Sequence, residues 1–186
     1  MSESDGFSLW HGKGLWLFTL VWLIAMLAAL YGFSRLQMQV FDHDGRLVKS
    51  SATMAFDREF TELLNREIGV LESKIVHFYQ QDCACQSVGS IHINSVKLLA
   101  DASKRENVEM RLEPNSPVSK MVPSTPAVAV FDENGKLSYL GPYSSGYYCS
   151  VGNGIVEPYI NKRAGAGAGP GATIVAQAAG CYCPLS

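Results

Sequence analysis

Residues 74–86, KIVHFYQQDCACQ, constrain the possible fold more than any other stretch of this sequence. The run at 75–79 is rich in β-branched and aromatic residues, which favours a strand. Polar residues end the run, and two cysteines one residue apart, Cys83 and Cys85, precede a helix-like pattern. The unpaired amides and the dipole at a helix start favour a thiolate over a thiol. The stretch therefore predicts a strand, a reactive cysteine pair and a helix.

The region before this stretch contains a predicted hairpin and a predicted helix. Residues 37–49 alternate on both sides of a His-Asp-Gly turn, which predicts two antiparallel strands. Over residues 53–68 the large apolar side chains recur at helical spacing, and Gly69 follows them. We therefore predict an amphipathic helix that ends at this glycine.

The region after the cysteines predicts a helix and a second strand. Ser90 is the predicted N-cap of a helix that reaches about Lys104. The apolar positions of this helix are Ile91, Val96, Leu98 and Leu99. Residues 108–112 alternate as a strand does. A strand, helix and strand in this order predict two parallel strands with a right-handed crossover.

The last predicted elements are two strands and a short helix. Residues 127–131 are an apolar run that predicts a strand, and after an Asp-Glu-Asn-Gly turn residues 136–140 are predicted as the returning strand. Pro126 stands directly before the first of them. Residues 155–163 predict a short helix with Pro158 in its first turn.

The cysteine pair after a central strand, together with Pro126 before a later strand, resembles the thioredoxin-like superfamily over roughly residues 73–163. The resemblance implies an α/β fold, with a mixed sheet of about four or five strands flanked by helices. It also implies a cis bond between Thr125 and Pro126, which leaves the neighbouring backbone free to pair with an extended substrate. The motif departs from the superfamily's usual C-x-x-C, because here it is C-x-C. The chain further resembles uncharacterised membrane-anchored thioredoxin-like proteins of proteobacteria that carry similar C-x-C, GPYSSG and terminal C-x-C-P segments.

A membrane anchor is predicted at residues 15–33, where nineteen residues pass without a charge. At about 1.5 Å per residue this helix spans ~28 Å, close to the thickness of a bilayer core. The alternative is a cleaved signal peptide, whose apolar region would be shorter. Three cations, Arg35, Arg46 and Lys49, follow the run and only Lys13 precedes it, so the positive-inside rule leans slightly towards a cytoplasmic domain.

We nevertheless expect the domain outside the cytoplasm, because residues 1–14 are too short to be a domain and the resemblance implies a periplasmic thiol protein. The expected organisation is a cytoplasmic N-terminus at 1–14, a single-pass anchor in the bacterial inner membrane, and a periplasmic thioredoxin-like domain at 37–163. Residues 164–186 follow as a linker and tail. The linker is rich in glycine and alanine and is predicted to be flexible.

Five cysteines are the candidate reactive groups: Cys83, Cys85, Cys149, Cys181 and Cys183. The last two form a second C-x-C, and the linker is long enough for the tail to return to the first pair, or else the tail has no role. The loop 141–154 returns to the same end of the sheet, so Cys149 is either a resolving thiol or ligand, or a structural cysteine. His92 is either a thiolate partner or a solvated helix residue. His77 is predicted to pack in the core or at the edge of the sheet and not to act as a ligand.

Thiol–disulfide exchange is the leading prediction of function. Cys83 is the expected attacking thiolate, Cys85 the resolving thiol, and the tail pair a second dithiol that relays electrons or guards the first. The expected partner is a thiol or disulfide protein outside the cytoplasm. No cofactor is expected, and the net charge of −2 suggests no nucleic-acid partner.

Two other classes of function remain open. In one, the two C-x-C pairs, Cys83, Cys85, Cys181 and Cys183, form a four-thiolate site that binds or delivers copper(I) or zinc. In the other, the domain is a scaffold without catalysis.

Overall fold

The computed structural model describes residues 5–36, 38–146, 154–161 and 171–185, and the chain divides into two compact units, Met1–Gln37 and Met38–Ser186. The first unit contains the helix α1, Asp5–Leu36. The segment Gly14–Phe33 of this helix is long and apolar enough to cross a membrane, and none of its most apolar part is buried. The apolar helix predicted at residues 15–33 is therefore present.

The second unit contains short helices and strands around one mixed sheet. In chain order its elements are β1 Gln39–Val40, α2 Arg46–Ser51, α3 Phe56–Ile68, β2 Lys74–Tyr79, α4 Ala84–Val88, α5 Ser90–Ala102, β3 Glu106–Arg111, β4 Ser124–Thr125, β5 Ala127–Phe131, β6 Leu137–Gly141, α6 Glu157–Ile160, β7 Thr173–Ile174, β8 Ala179–Gly180 and β9 Cys183–Pro184.

The main sheet has five strands in the order β3-β2-β5-β6-β7. The pair β2–β3 is parallel, as predicted for the unit that contains the cysteines, and β6–β7 is also parallel. Strand β5 runs antiparallel to both of its neighbours, β2 and β6. The fold is thus α/β, with a mixed five-stranded sheet and helices, as predicted from the sequence.

Two apolar clusters cover the two faces of the sheet, because successive side chains of a strand point to opposite faces. Val76 and Phe78 of β2 belong to a cluster that includes α3 and the tail. Ile75, their neighbour in the strand, belongs to a second cluster with α5 and α6. The central strands β2 and β5 are therefore covered on both faces.

The hairpin predicted at residues 37–49 is wrong in its second half. Residues 46–51 form α2, and β1 pairs with β8 in the tail instead of with a neighbouring strand. The Asp42 carboxylate accepts hydrogen bonds from the backbone N–H groups of Leu47 and Val48, at 3.1 and 2.8 Å. These bonds satisfy amides that a helix start leaves unpaired, so they stabilise a helix where the alternation suggested a strand.

The helices after the cysteines also differ from the prediction in detail. Ser90 is the first residue of α5 and Gly89 takes the N-cap position, without a side-chain cap. Two of the apolar positions that indicated this helix, Ile91 and Leu98, are 76% and 70% exposed. The buried residues of α5 are His92, Ile93, Val96 and Ala100. The inner face of α5 therefore includes a histidine and an alanine and does not coincide with its largest apolar residues.

The last helix is a single turn, α6, shorter than the predicted 155–163, with Pro158 in its first turn as expected. The predicted linker, 164–172, lies mostly outside the described residues. Residues 171–185 are integrated with the rest of the unit: β7 pairs with β6, and the amides of Phe41 and Asp42 donate to the carbonyls of residues 178 and 176. Residues 171–185 therefore belong to the same compact unit as residues 38–146.

Candidate functional site

The central cysteines lie in the turn between β2 and α4. Asp82 has a φ of 63°, in the left-handed region, and so reverses the chain after the strand. Cys83 follows in an extended conformation as the N-cap of α4, and Cys85 lies inside this helix. Both are buried, with 7% and 9% exposure. The predicted order of strand, cysteine pair and helix is therefore present.

The segment around Pro126 lies directly against this turn. The Thr125–Pro126 peptide bond is cis, as the resemblance implied. The sulfur of Cys83 lies 3.7 Å from the Thr125 carbonyl oxygen. Thr125 is fully buried, and its hydroxyl has no hydrogen-bond partner among the described residues. The cysteine turn and the proline turn thus form one site.

The tail strand β9 covers this site. It pairs antiparallel with β4, so that Cys183 stands opposite Thr125 and Pro184 opposite Ser124. Cys83 is bonded to Cys183 in a disulfide, with 5.9 Å between the Cα atoms. The edge of β4 that the resemblance left free for a substrate is therefore occupied by the chain's own tail.

A second disulfide joins Cys85 to Cys181, with 5.3 Å between the Cα atoms. The tail pair thus reaches the central pair, which is the contact that the linker length allowed. Neither C-x-C closes a disulfide on itself in this structure; each cysteine bonds to the opposite segment.

Arg46 and the end of the chain hold the tail in place. The Arg46 guanidinium donates from Nη2 to the carbonyl oxygens of Pro123 and Leu185, at 3.0 and 2.6 Å. The amide of Leu185 also donates to the Pro123 carbonyl at 2.9 Å. Leu185 is 1% exposed and belongs to the main apolar cluster. Charged hydrogen bonds and apolar burial therefore fix the same end of β9.

Tyr182, between the two tail cysteines, anchors the tail from its other face. Its hydroxyl donates to the Ser144 carbonyl at 2.8 Å, and its ring packs edge-on against Phe41 at 5.3 Å between centroids. A small crevice with room for about one water molecule lies beside it. The walls of the crevice include Cys85, Cys181, Pro126 and Tyr143.

A series of hydrogen-bonded polar side chains leads from the surface to Tyr143, which lines the crevice beside the cysteines. Asn107 donates from Nδ2 to Lys97 O and Asp101 Oδ1, at 3.1 and 2.7 Å, so its Oδ1 must accept. His77 Nε2, 2.8 Å from that oxygen, therefore carries the proton, and His77 Nδ1 accepts the Tyr143 hydroxyl at 2.6 Å. Burial lowers the pKa of His77, although the bond to Asn107 opposes this. His77 is thus a neutral structural residue, as predicted.

His92 is buried, so its interpretation as a solvated helix residue is wrong. Its Nε2 lies 2.7 Å from Glu157 Oε1, and its ring packs edge-on to Tyr143 at 6.2 Å. Burial raises the pKa of Glu157, but hydrogen bonds from His92 and from the Gly154 amide outweigh burial and lower it. A role of His92 beside a thiolate stays a prediction.

Comparison with known families identifies the chain at this point. Residues 53–185 match the profile of a family described as a domain of unknown function, DUF6436. The chain belongs to this family. No curated protein and no solved structure matches this chain. The DUF6436 region includes both disulfides and leaves out the apolar helix α1.

Several residues of the site were not predicted from the sequence of this DUF6436 member. Arg46 lay in a predicted strand, Tyr143 belonged to the GPYSSG segment without a role of its own, and Glu157 carried no local motif. Only the chain's long-range pairing brings them to the cysteines. Cys149, a predicted redox partner, lies outside the described residues.

Proposed function

We propose that this protein is a membrane-anchored thiol–disulfide exchange protein with a thioredoxin-like fold, whose tail dithiol is the built-in partner of the central dithiol. One observation carries the proposal: two disulfides connect the two C-x-C segments beside Pro126. The parallel β2–β3 pair, the cysteines after β2 and the cis bond before β5 support the thioredoxin-like assignment.

The exposure of the sulfur-bearing residues sets the direction of attack. Cys181 and Cys183 are partly exposed, whereas Cys83 and Cys85 are buried. A thiolate of an external dithiol therefore attacks Cys183, the Cys83–Cys183 bond breaks, and Cys83 leaves as a thiolate. The amides at the start of α4 favour that thiolate. The partner's second thiolate then attacks the mixed disulfide, which releases the Cys183 thiolate and leaves the partner oxidised.

The same two steps at Cys85–Cys181 transfer a second electron pair. Fully oxidised protein therefore accepts four electrons from two dithiols, or in reverse donates four to two disulfides. In this proposal each redox couple joins the two segments, Cys83 with Cys183 and Cys85 with Cys181, and the partner attacks the partly exposed tail cysteines.

The proposed location is the bacterial inner membrane, with α1 as a single-pass anchor and the domain in the periplasm. Two disulfides in one domain support this location, because such bonds persist in oxidising compartments and are rare in the cytosol. Fusions of a reporter to the C-terminus test it. A reporter that functions only in the cytoplasm would contradict the proposed orientation.

The exchange proposal is tested on the full chain, purified in detergent without reductant. Alkylation and mass spectrometry should find the pairs Cys83–Cys183 and Cys85–Cys181. Titration against a dithiol redox buffer should then show reversible uptake of four electrons per chain. The Cys181→Ser/Cys183→Ser variant should take up only the two electrons that Cys83 and Cys85 can share. A Leu98→Ala variant, altered at an exposed position of α5, is the control and should behave as the parent.

The scaffold alternative gives a different result in this titration. If both disulfides stay intact in the folded protein under excess dithiol, the bonds are structural and the exchange proposal is wrong.

A further inference from the structure

Four sulfur atoms meet at the junction of the two C-x-C segments. The sulfurs of Cys83, Cys85 and Cys183 all lie within 4.8 Å of one another. The sulfur of Cys181 is bonded to that of Cys85, but it does not lie within 4.8 Å of all three of these sulfurs in the oxidised form. We propose that the reduced form of this cluster binds one thiophilic d10 cation, zinc or copper(I), through all four thiolates.

The backbone already holds the four cysteines at a suitable spacing. A tetrahedral site with metal–sulfur bonds of about 2.3 Å needs sulfurs roughly 3.8 Å apart. The Cα atoms of the two bonded pairs are 5.9 and 5.3 Å apart, within the combined reach of two cysteine side chains around one ion. Rotation about the Cα–Cβ bonds then sets the sulfur spacing, while the pairing of β4 with β9 keeps the backbone in place.

The donor set selects the class of cation. Within the described part of the chain, this group contains cysteines alone, without a carboxylate or an imidazole. Thiolates select zinc, copper(I) and iron–sulfur centres over magnesium or calcium, which prefer oxygen ligands. Four thiolates without an open position describe a closed site, so the ion would be held and not used to activate water.

Metal binding and the two disulfides exclude each other. Reduction of each disulfide takes two electrons and two protons from a dithiol, which is itself oxidised to a disulfide. The four thiols produced then release their protons as they bind the cation. The oxidised form keeps no thiolate in the cluster, so metal content depends on redox state. By linkage, a cation that binds only the reduced form makes the two disulfides easier to reduce.

The metal-site proposal and the exchange proposal are tested separately, and either can fail while the other stands. Absence of metal binding would leave the disulfide pairs and the four-electron titration unchanged. Conversely, disulfides that resist a dithiol partner in the folded protein can still be opened by a small phosphine reductant before metal is added.

The test uses the full chain in detergent, reduced and freed of reductant under argon. Cobalt(II) should give a sulfur-to-metal charge-transfer band that saturates at one ion per chain, and one equivalent of zinc should remove it. The oxidised protein should give no band. The Cys181→Ser/Cys183→Ser variant should lose the band, whereas Leu98→Ala, a substitution at an exposed position of α5, should keep it. Circular dichroism of each variant shows whether it is folded.

A measurement on the unaltered chain protects the test against a variant that fails to fold. One equivalent of zinc or copper(I) should shield Cys83, Cys85, Cys181 and Cys183 together from alkylation, and competition with a chromophoric chelator then tells which ion binds more tightly. No protection by either ion, protection of one C-x-C alone, or a band that survives in the folded tail variant would overturn the four-thiolate site.

Discussion

The two C-x-C segments share a motif and meet in one site, but different forces place them there. Local structure places the central pair, because a buried strand ends before it and a helix starts at Cys83. Long-range contacts place the terminal pair: β9 has only two residues and depends on β4, Arg46 and the burial of Leu185. The central pair is thus part of the scaffold, whereas the terminal pair is docked onto it.

Because the two segments meet only through long-range contacts, the contribution of each disulfide to the stability of the fold depends on the loop that it closes. In the chain-entropy account a disulfide stabilises by restricting the unfolded chain, and the effect grows with the loop that it closes. The two bonds span 100 and 96 residues, but they lie two residues apart at each end. Once one of them is formed, the other closes only a small ring of about six residues.

The largest predicted effect is therefore a non-additive loss of stability. Removing both bonds as serine pairs should lower the free energy of unfolding by about 7 kcal/mol, from ~4.7 for the first loop and ~2 for the second. Removing Cys83–Cys183 alone, or Cys85–Cys181 alone, should cost about 2 kcal/mol. Urea unfolding of the full chain in detergent, followed by circular dichroism, measures all three.

Additive losses, in which the two single removals together account for the whole loss of the double removal, would contradict this account. They would show that each bond acts locally, for instance by holding β9 against β4, and that the docked segment is not restrained by loop closure. Cys149→Ser, measured under the same conditions, serves as the control for a cysteine outside both bonds.

The same contrast explains how much of the fold the sequence could predict. Strands β2, β5 and β6 were predicted because each is an apolar run next to a turn signal, and both kinds of signal are local. The strands β7, β8 and β9 were missed because each has two residues and forms only through its partner. Arg46 was missed for a similar reason, since its acceptors, Pro123 and Leu185, lie far along the chain.

The cysteine site divides in the same way. The order of strand, Cys83 and helix could be read from the local pattern, and the resemblance supplied the cis bond at Pro126. The linker length showed only that the tail can return. It could not indicate which cysteine of one segment bonds to which of the other, because that depends on the register of β9 against β4.

The burial of Leu185 gives the next largest effect. Leu185→Ala should lower the free energy of unfolding by about 2–4 kcal/mol, because it removes a fully buried leucine from the main cluster. Leu98→Ala is the matched control: Leu98 is 70% exposed, so its truncation should cost less than about 0.5 kcal/mol. Denaturant midpoints of the oxidised proteins compare the two. Similar losses at both positions would show that the tail's last leucine contributes no more than a surface residue.

Arg46 tests whether the docked segment depends on charged hydrogen bonds. Arg46→Gln removes the donor to Pro123 and Leu185 and should cost about 2 kcal/mol, since hydrogen bonds to charged groups contribute ~1.5–3 kcal/mol. Arg58→Gln is the matched control, because Arg58 is 73% exposed and makes only a long surface ion pair with Glu62. Unfolding should show a loss at position 46 and almost none at 58. An unchanged stability of the Arg46→Gln protein would mean that these charged hydrogen bonds do not contribute to holding the tail.

The smallest predicted effect concerns the scaffold side of the comparison, where His77 supports Tyr143 beneath the central pair. Burial lowers the pKa of His77 in the folded protein. The unfolded chain therefore binds a proton first as the pH falls, and stability should decrease below the unfolded pKa of about 6.5. The loss reaches at most about 1.4 kcal/mol at one pH unit below that value, and it stops growing once the folded protein also takes up the proton.

A His77→Gln variant should remove this part of the pH dependence. Unfolding free energies at pH 7.5 and 5.5, for the parent and the variant, give the contribution of His77 as the difference between the two slopes. Lys97, Glu109 and Asp101 lie near residue 77 in both proteins, so the difference isolates the contribution of His77. A variant as pH-sensitive as the parent would show that His77 keeps its ordinary pKa in the folded state. The polar side chains that support the central segment would then be less rigidly held than the hydrogen bonds of His77 to Tyr143 and Asn107 indicate.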